Sequence, residues 1–154
     1  MNNIIKFKTS FILLVLTLLC LFITTTPAFA DSSAGVLVSS KASSIQGKIK
    51  RKDLRRIFLG IRPALKYQVD KPILNTADKD TYALFLKNIL FLTESGYKRK
   101  LIKRVFRQGA DEINAIDSRQ QLEQHLLSNP NDISFMSKQQ AENHTNLKII
   151  QELW

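Results

Sequence analysis

Cysteine is almost absent from this chain: Cys20 is the one thiol in 154 residues, and it lies within the first thirty. Those thirty residues read as a secretory signal peptide. Lys6 and Lys8 give a basic start, Phe11–Ile23 an apolar run broken by Thr17 and Cys20, and Ala28-Phe29-Ala30 a small-residue cleavage signature before Asp31. The apolar run is short against the roughly 20 residues that a membrane-spanning helix needs. Leu19 stands where lipoprotein processing wants a small side chain, which excludes lipidation at Cys20. Cleavage after Ala30 removes the cysteine, so the expected exported chain, Asp31–Trp154, has no disulfide or thiol chemistry and takes its stability from its core. Its expected location is the periplasm.

Histidine is equally scarce. His125 and His144 stand far apart, without cysteine, and offer too few converging ligands for a zinc site or a histidine-based acid–base centre. The five glycines form no phosphate-cradling loop, and there is neither a nucleophile elbow nor a recognisable carboxylate pair. Asp78 and Asp80 lie at a helix start, where the dipole favours acids. The expectation is a protein without catalysis, metal or cofactor. The chain also has no internal repeat and no low-complexity tract.

Acid is the minority charge. Twenty-one of the 23 Lys and Arg and all 13 Asp and Glu lie beyond residue 30, a formal excess of eight cations. Such a domain meets anionic solutes or surfaces, although excess charge also serves solubility, and nothing marks specific nucleic-acid recognition. Two stretches concentrate the cations. Lys48–Gly60 carries Lys48, Lys50, Arg51, Lys52, Arg55 and Arg56; Tyr97–Gln108 carries Lys98, Arg99, Lys100, Lys103, Arg104 and Arg107 without one acid.

The remaining pattern alternates strands and helices. Gly35–Ser40 reads as a buried first strand, followed by a polar loop at Lys41–Gly47. A short helix then starts at Asp53, buries Leu54, Ile57 and Phe58, and stops at Gly60. Ile61–Lys71 is a connecting loop. After the break Thr93–Gly96, Tyr97–Gln108 is an amphipathic helix whose Leu101, Ile102, Val105 and Phe106 should pack on a sheet, with Gly109 as its stop. Asp111–Asp117 reads as irregular. Ser118 and Gln121 form a capping box for a helix that buries Leu122 and Leu126 and ends at Asn129-Pro130. Ile133–Met136 is a strand, Ser137–Asn143 a helical turn, and Leu147–Ile150 an edge strand. The fold class is α/β: one domain, Asp31–Trp154, with a single small mixed β-sheet flanked by helices.

The chain is organised around Pro72–Leu92. Ile73 and Leu74 form a strand, Asn75–Asp78 a polar turn, and Tyr82, Phe85, Leu86 and Ile89 recur at helical spacing. A strand that delivers a turn to a helix N-terminus is a common connection of α/β domains. It also leaves N–H groups beside a positive dipole end, where an anion is stabilised. As the N-cap, Asp78 would take N–H groups that such a ligand needs.

Gly35–Ser40, the run DLRRIFLG at Asp53–Gly60, the strand–turn–helix with Phe85, and SNPNDISFM at Ser128–Met136 occur in an order that resembles the phosphate-type periplasmic solute-binding proteins, in their small single-domain branch. The resemblance implies one lobe of a type 2 periplasmic binding fold and non-catalytic binding of a small oxyanion, phosphate by default. Carried over by position, it points to Ser39 or Ser40 after the first strand and to Thr76, Asp78 and Thr81 at the central helix start. It also implies a membrane transporter or sensor as partner. The alternative is an accessory or sensor interaction protein that kept the fold, lost the ligand, and works through its basic surface.

Overall fold

The first strand places its six residues, Gly35–Ser40, wholly in the interior, as the apolar run Val36–Val38 leads one to expect (β1). In this computed structural model, residues 34–61, 67–110 and 112–154 are described. The leader and part of the Ile61–Lys71 loop lie outside them. Residues Ser33–Trp154 form one compact unit.

Further along the chain come α1 (Arg51–Ile57), β2 (Leu74–Asn75), α2 (Lys79–Phe85) with a π-helical turn at Leu86–Leu90, α3 (Glu94–Gln108), β3 (Ala115–Ile116), α4 (Arg119–Ser128), β4 (Ser134–Ser137), α5 (Lys138–Asn143) and β5 (Leu147–Glu152). The α/β class is as expected, but the sheet comes in two pieces. β1 lies between β4 and β5, antiparallel to both, and β2 runs parallel to β3. One parallel bridge, Pro72 to Ile133, joins the pieces. Side chains reinforce this seam: Ser134 Oγ donates to the Ile73 carbonyl at 3.0 Å, and Asn75 Nδ2 to that of Phe135 at 3.0 Å.

Alternation along β1 divides the core. Leu37 faces a cluster built from α1, α2, the π turn and Tyr97 of α3, while Val36 and Val38 face Leu122 and Leu126 of α4, Ala141 of α5 and Met136. Helices therefore cover both faces. At the centre of the first cluster, Phe85 stacks on Phe135 at 3.8 Å between centroids, with Phe58 edge-on to both.

Three local expectations need correction. The first helix begins at Arg51, so Asp53 sits in its first turn and accepts from the Tyr67 hydroxyl at 2.7 Å instead of capping. Thr93–Gly96 is no break: Thr93 Oγ1 caps α3 by accepting from Gly96 N at 3.2 Å, and the chain turns one step earlier at Phe91, in the left-handed region at φ 54°. Asp111–Asp117 contains β3, which forms because Leu74 N donates to Asn114 O and Thr76 N to Ile116 O, both at 2.9 Å.

The largest difference is α3. Tyr97 is buried and its hydroxyl donates to Phe58 O at 2.7 Å, and Leu101 packs partly against the core. Ile102 and Phe106, expected to be buried, are 57% and 84% exposed. Leu101, Arg104 and Val105 are half-buried on one side of this half of the helix, and Ile102 and Phe106 face away from the body. Gly109 ends it at φ 57° as expected.

Candidate binding cleft

β2 runs parallel to β4, so the turn after β2 emerges at the end of the sheet where β4 leads into α5. The helix starts of α2 and α5 thus meet. Asp78 Oδ1 caps α2 by accepting from Thr81 N at 3.1 Å, and its Oδ2 accepts from Gln140 Nε2 at 3.0 Å. Partial burial pushes the Asp78 carboxyl up, but hydrogen bonds from Thr81 and Gln140 and the charge of Arg119 hold it below its ordinary value. Thr81 is buried beneath this cap. Thr76 turns inward, its hydroxyl donating to Ile116 O at 3.1 Å.

The structure therefore brings together Thr76, Asp78 and Thr81, with their polar groups largely engaged by the protein itself. It does not bring Ser39 and Ser40 to them. β1 is antiparallel to β4, which puts its last residues at the opposite end of the sheet, paired with Lys148 and Leu147. Both serines are buried: Ser39 Oγ reaches the Ser40 carbonyl at 3.4 Å, and Ser40 Oγ accepts from Ala42 N at 3.3 Å. The expectation that they form a second wall for a ligand at α2 fails because the sheet is antiparallel here.

Beside the helix start lies a cleft of about 860 Å³ that spacing alone did not reveal. Thr76, Lys79, Ala83 and Lys87 line it together with the largely apolar Tyr82, Leu86, Phe91 and Leu92 and with Thr93 and Glu94. Lys79, Ala83 and Lys87 recur at intervals of four, which could have marked this face. Phe91 could not be foreseen, because the π turn and a left-handed aromatic residue place it there. The guanidinium of Arg55 sits 5.5 Å from its ring. Burial, followed by the charge of Glu94, pushes the Tyr82 hydroxyl above its ordinary value. Glu94 itself pairs with Lys98 at 2.7 Å, which leaves Lys79 and Lys87 to set the sign of the cleft.

The histidines do not converge. His125 pairs with buried Asp132 at 2.8 Å and His144 with Glu123 at 3.1 Å. No cluster of three or more metal-ligating side chains occurs among the described residues, and no helix among them is long and apolar enough to cross a membrane.

No protein-family model matches the chain, and no curated protein sequence matches it. Among solved structures it is similar to an ABC-type phosphate transport receptor from Vibrio cholerae, with a TM-score of 0.56 and 16% identity over 77% of this chain and 46% of the receptor. It also matches the AvGluR1 ligand-binding domain in complex with glutamate, at a TM-score of 0.42 and 19% identity, over 79% of this chain and 41% of that one. The chain thus spans less than half the length of either. The first likeness shows the fold: an α/β lobe like that of the receptor, as the sequence resemblance implied.

Proposed function

We propose that this chain is an exported, non-catalytic solute-binding-like protein that holds a small anionic solute in the cleft beside α2. The observation that carries the reading is the lining, in which Lys79 and Lys87 accompany the largely apolar Tyr82, Leu86, Phe91 and Leu92. The fold shared with a phosphate transport receptor supports it. At about 860 Å³ the cleft falls in the range of small-molecule sites, roughly 300–1,000 Å³, and exceeds what a bare oxyanion fills. An oxyanion carried on an apolar body, such as a phosphate ester or a carboxylate, suits it better than inorganic phosphate. The reading includes export to the periplasm, supported by the leader expected from the sequence, with a transporter or sensor as the partner that receives the solute. A single open lobe leaves the ligand wet, so each polar contact competes with water and the isolated monomer binds weakly.

A second reading rests on the engaged helix start. Asp78 and Thr76 already have partners within the protein, so the phosphate-type contacts of the fold are lost and the chain acts as an accessory or sensor protein through its basic surface. A thermal-shift screen of inorganic phosphate, sugar phosphates and aliphatic carboxylates, followed by titration calorimetry, separates the two. The first reading expects saturable one-to-one binding that Lys79→Ala with Lys87→Ala abolishes and Thr81→Ala spares. No stabilisation by any small anion would overturn it in favour of the second.

A further inference from the structure

The apolar arc of α3 is wider than the body it packs on. Tyr97 and Leu101 account for its contact with the core, whereas Ile102 and Phe106, an i, i+4 pair on the adjacent strip of the helix, project into solvent at 57% and 84% exposure. Spacing fixes their neighbours. Lys98 and Arg99 precede Ile102 by four and three positions, and Lys103 precedes Phe106 by three; all three cations are exposed. The helix holds six cations against one acid, Glu94, and that acid is paired with Lys98.

We infer that the outer half of α3 is a contact site for an anionic lipid surface, on which the helix lies with Ile102 and Phe106 inserted among the headgroups and acyl ends. A helix lying in a membrane interface needs an apolar edge bordered by long cationic side chains that reach back to the phosphates. That is the arrangement here. The exposed pair is a convex ridge, and a bilayer receives a ridge without offering a matched pocket. A second copy of the chain would bring its own six cations to the seam and be repelled. The lipid contact does not depend on the cleft or on what the cleft holds.

The test is co-sedimentation of Asp31–Trp154, which carries the whole compact unit, with vesicles of phosphatidylglycerol and phosphatidylcholine in equal parts and with pure phosphatidylcholine. Binding is expected to the first only, and to weaken as salt rises. Arg99→Gln with Lys103→Gln lowers the partition about thirtyfold, since each basic residue near such a surface contributes about a factor of five. Phe106→Ala lowers it about tenfold or more through lost apolar insertion, and Phe106→Trp restores it with a blue-shifted emission. All three positions are exposed, so circular dichroism should show the variants folded. Equal binding by Phe106→Ala and the parent overturns the inference, because the contact would then be charge alone. So does an absence of binding at low salt. Poly-glutamate binding that depends on Phe106 would assign the ridge to an acidic protein instead, and a dimer in light scattering that Phe106→Ala dissolves would assign it to a second copy.

Discussion

Alanine at Gly35 should unseat the indole at the other end of the chain. Gly35 opens β1, its carbonyl accepts from Leu153 N at 2.7 Å, and the ring of Trp154 lies across its Cα. A Cβ added there would stand 2.1, 2.3 and 2.4 Å from three carbons of that ring. Carbon contacts settle near about 3.5–4.0 Å, so the indole must withdraw by more than about an ångström. It cannot do so and keep its tilted contact with Phe85, 6.5 Å between centroids. Overpacking of this kind costs about 1–3 kcal/mol. Two effects reduce the loss. Alanine restricts the unfolded chain and returns about 0.5–1 kcal/mol in a strand. Trp154 Nε1, buried without a hydrogen-bond partner, regains water when the ring moves. The net expectation is a loss of about 1–2 kcal/mol, read by urea unfolding. Trp154 is the one tryptophan, so its native emission should also shift to the red. In a Trp154→Ala background the same Gly35→Ala change should be neutral or stabilising. An equal loss in both backgrounds would refute the reasoning, since the clash would then lie elsewhere.

Ile102→Ala and Phe106→Ala should each leave stability within about 0.5 kcal/mol, while Leu101→Ala costs more than about 1 kcal/mol, as chemical denaturation will show. Tyr97→Phe strands the buried Phe58 carbonyl and should cost about 1–3 kcal/mol. Burial pushes the Tyr97 hydroxyl far above its ordinary value, so the folded protein favours the neutral phenol. That contribution is complete below about pH 10 and lost as pH rises further, and ultraviolet titration should show no tyrosinate from Tyr97 before alkaline unfolding. Asp78→Ala should cost about 0.5–2 kcal/mol as a lost cap. The Asp78 carboxyl is depressed in the folded state, so its contribution is complete above its unfolded value of 3.8 and fades as pH falls below that. Asp78→Asn keeps a cap oxygen and should flatten that acid limb in urea midpoints measured against pH.

What the sequence disclosed follows local chemistry. Ser118 and Gln121 foretold the start of α4, and Ser118 Oγ does accept from Gln121 N at 3.4 Å. The run Gly35–Ser40 announced a buried strand because Val36, Leu37 and Val38 put apolar side chains on both faces. The turn Asn75–Asp78 and its helix were legible from a strand period giving way to a helical one. What stayed hidden depends on distant partners. β3 is two residues without alternation and exists only because β2 lies beside it. The period of α3 showed an apolar arc but not how far the body beneath it reaches. Ser39 and Ser40 looked like a ligand wall only while β1 was assumed to end beside β2. Pairing with residues about a hundred positions away decides that, and no local signal reports it.

That long-range pairing bears on when the domain can form. β1 is the first strand to emerge, yet both its neighbours, β4 and β5, belong to the last twenty-one residues, Ser134–Trp154. Every ladder hydrogen bond of the central strand therefore waits until Ser134 and the residues beyond it have been made, and closing so long a loop is slow. The export proposed above would take the chain unfolded through a narrow channel. Here the delay comes from connectivity itself, because a nascent segment ending at Ser128 has all of β1 and no strand to set against it.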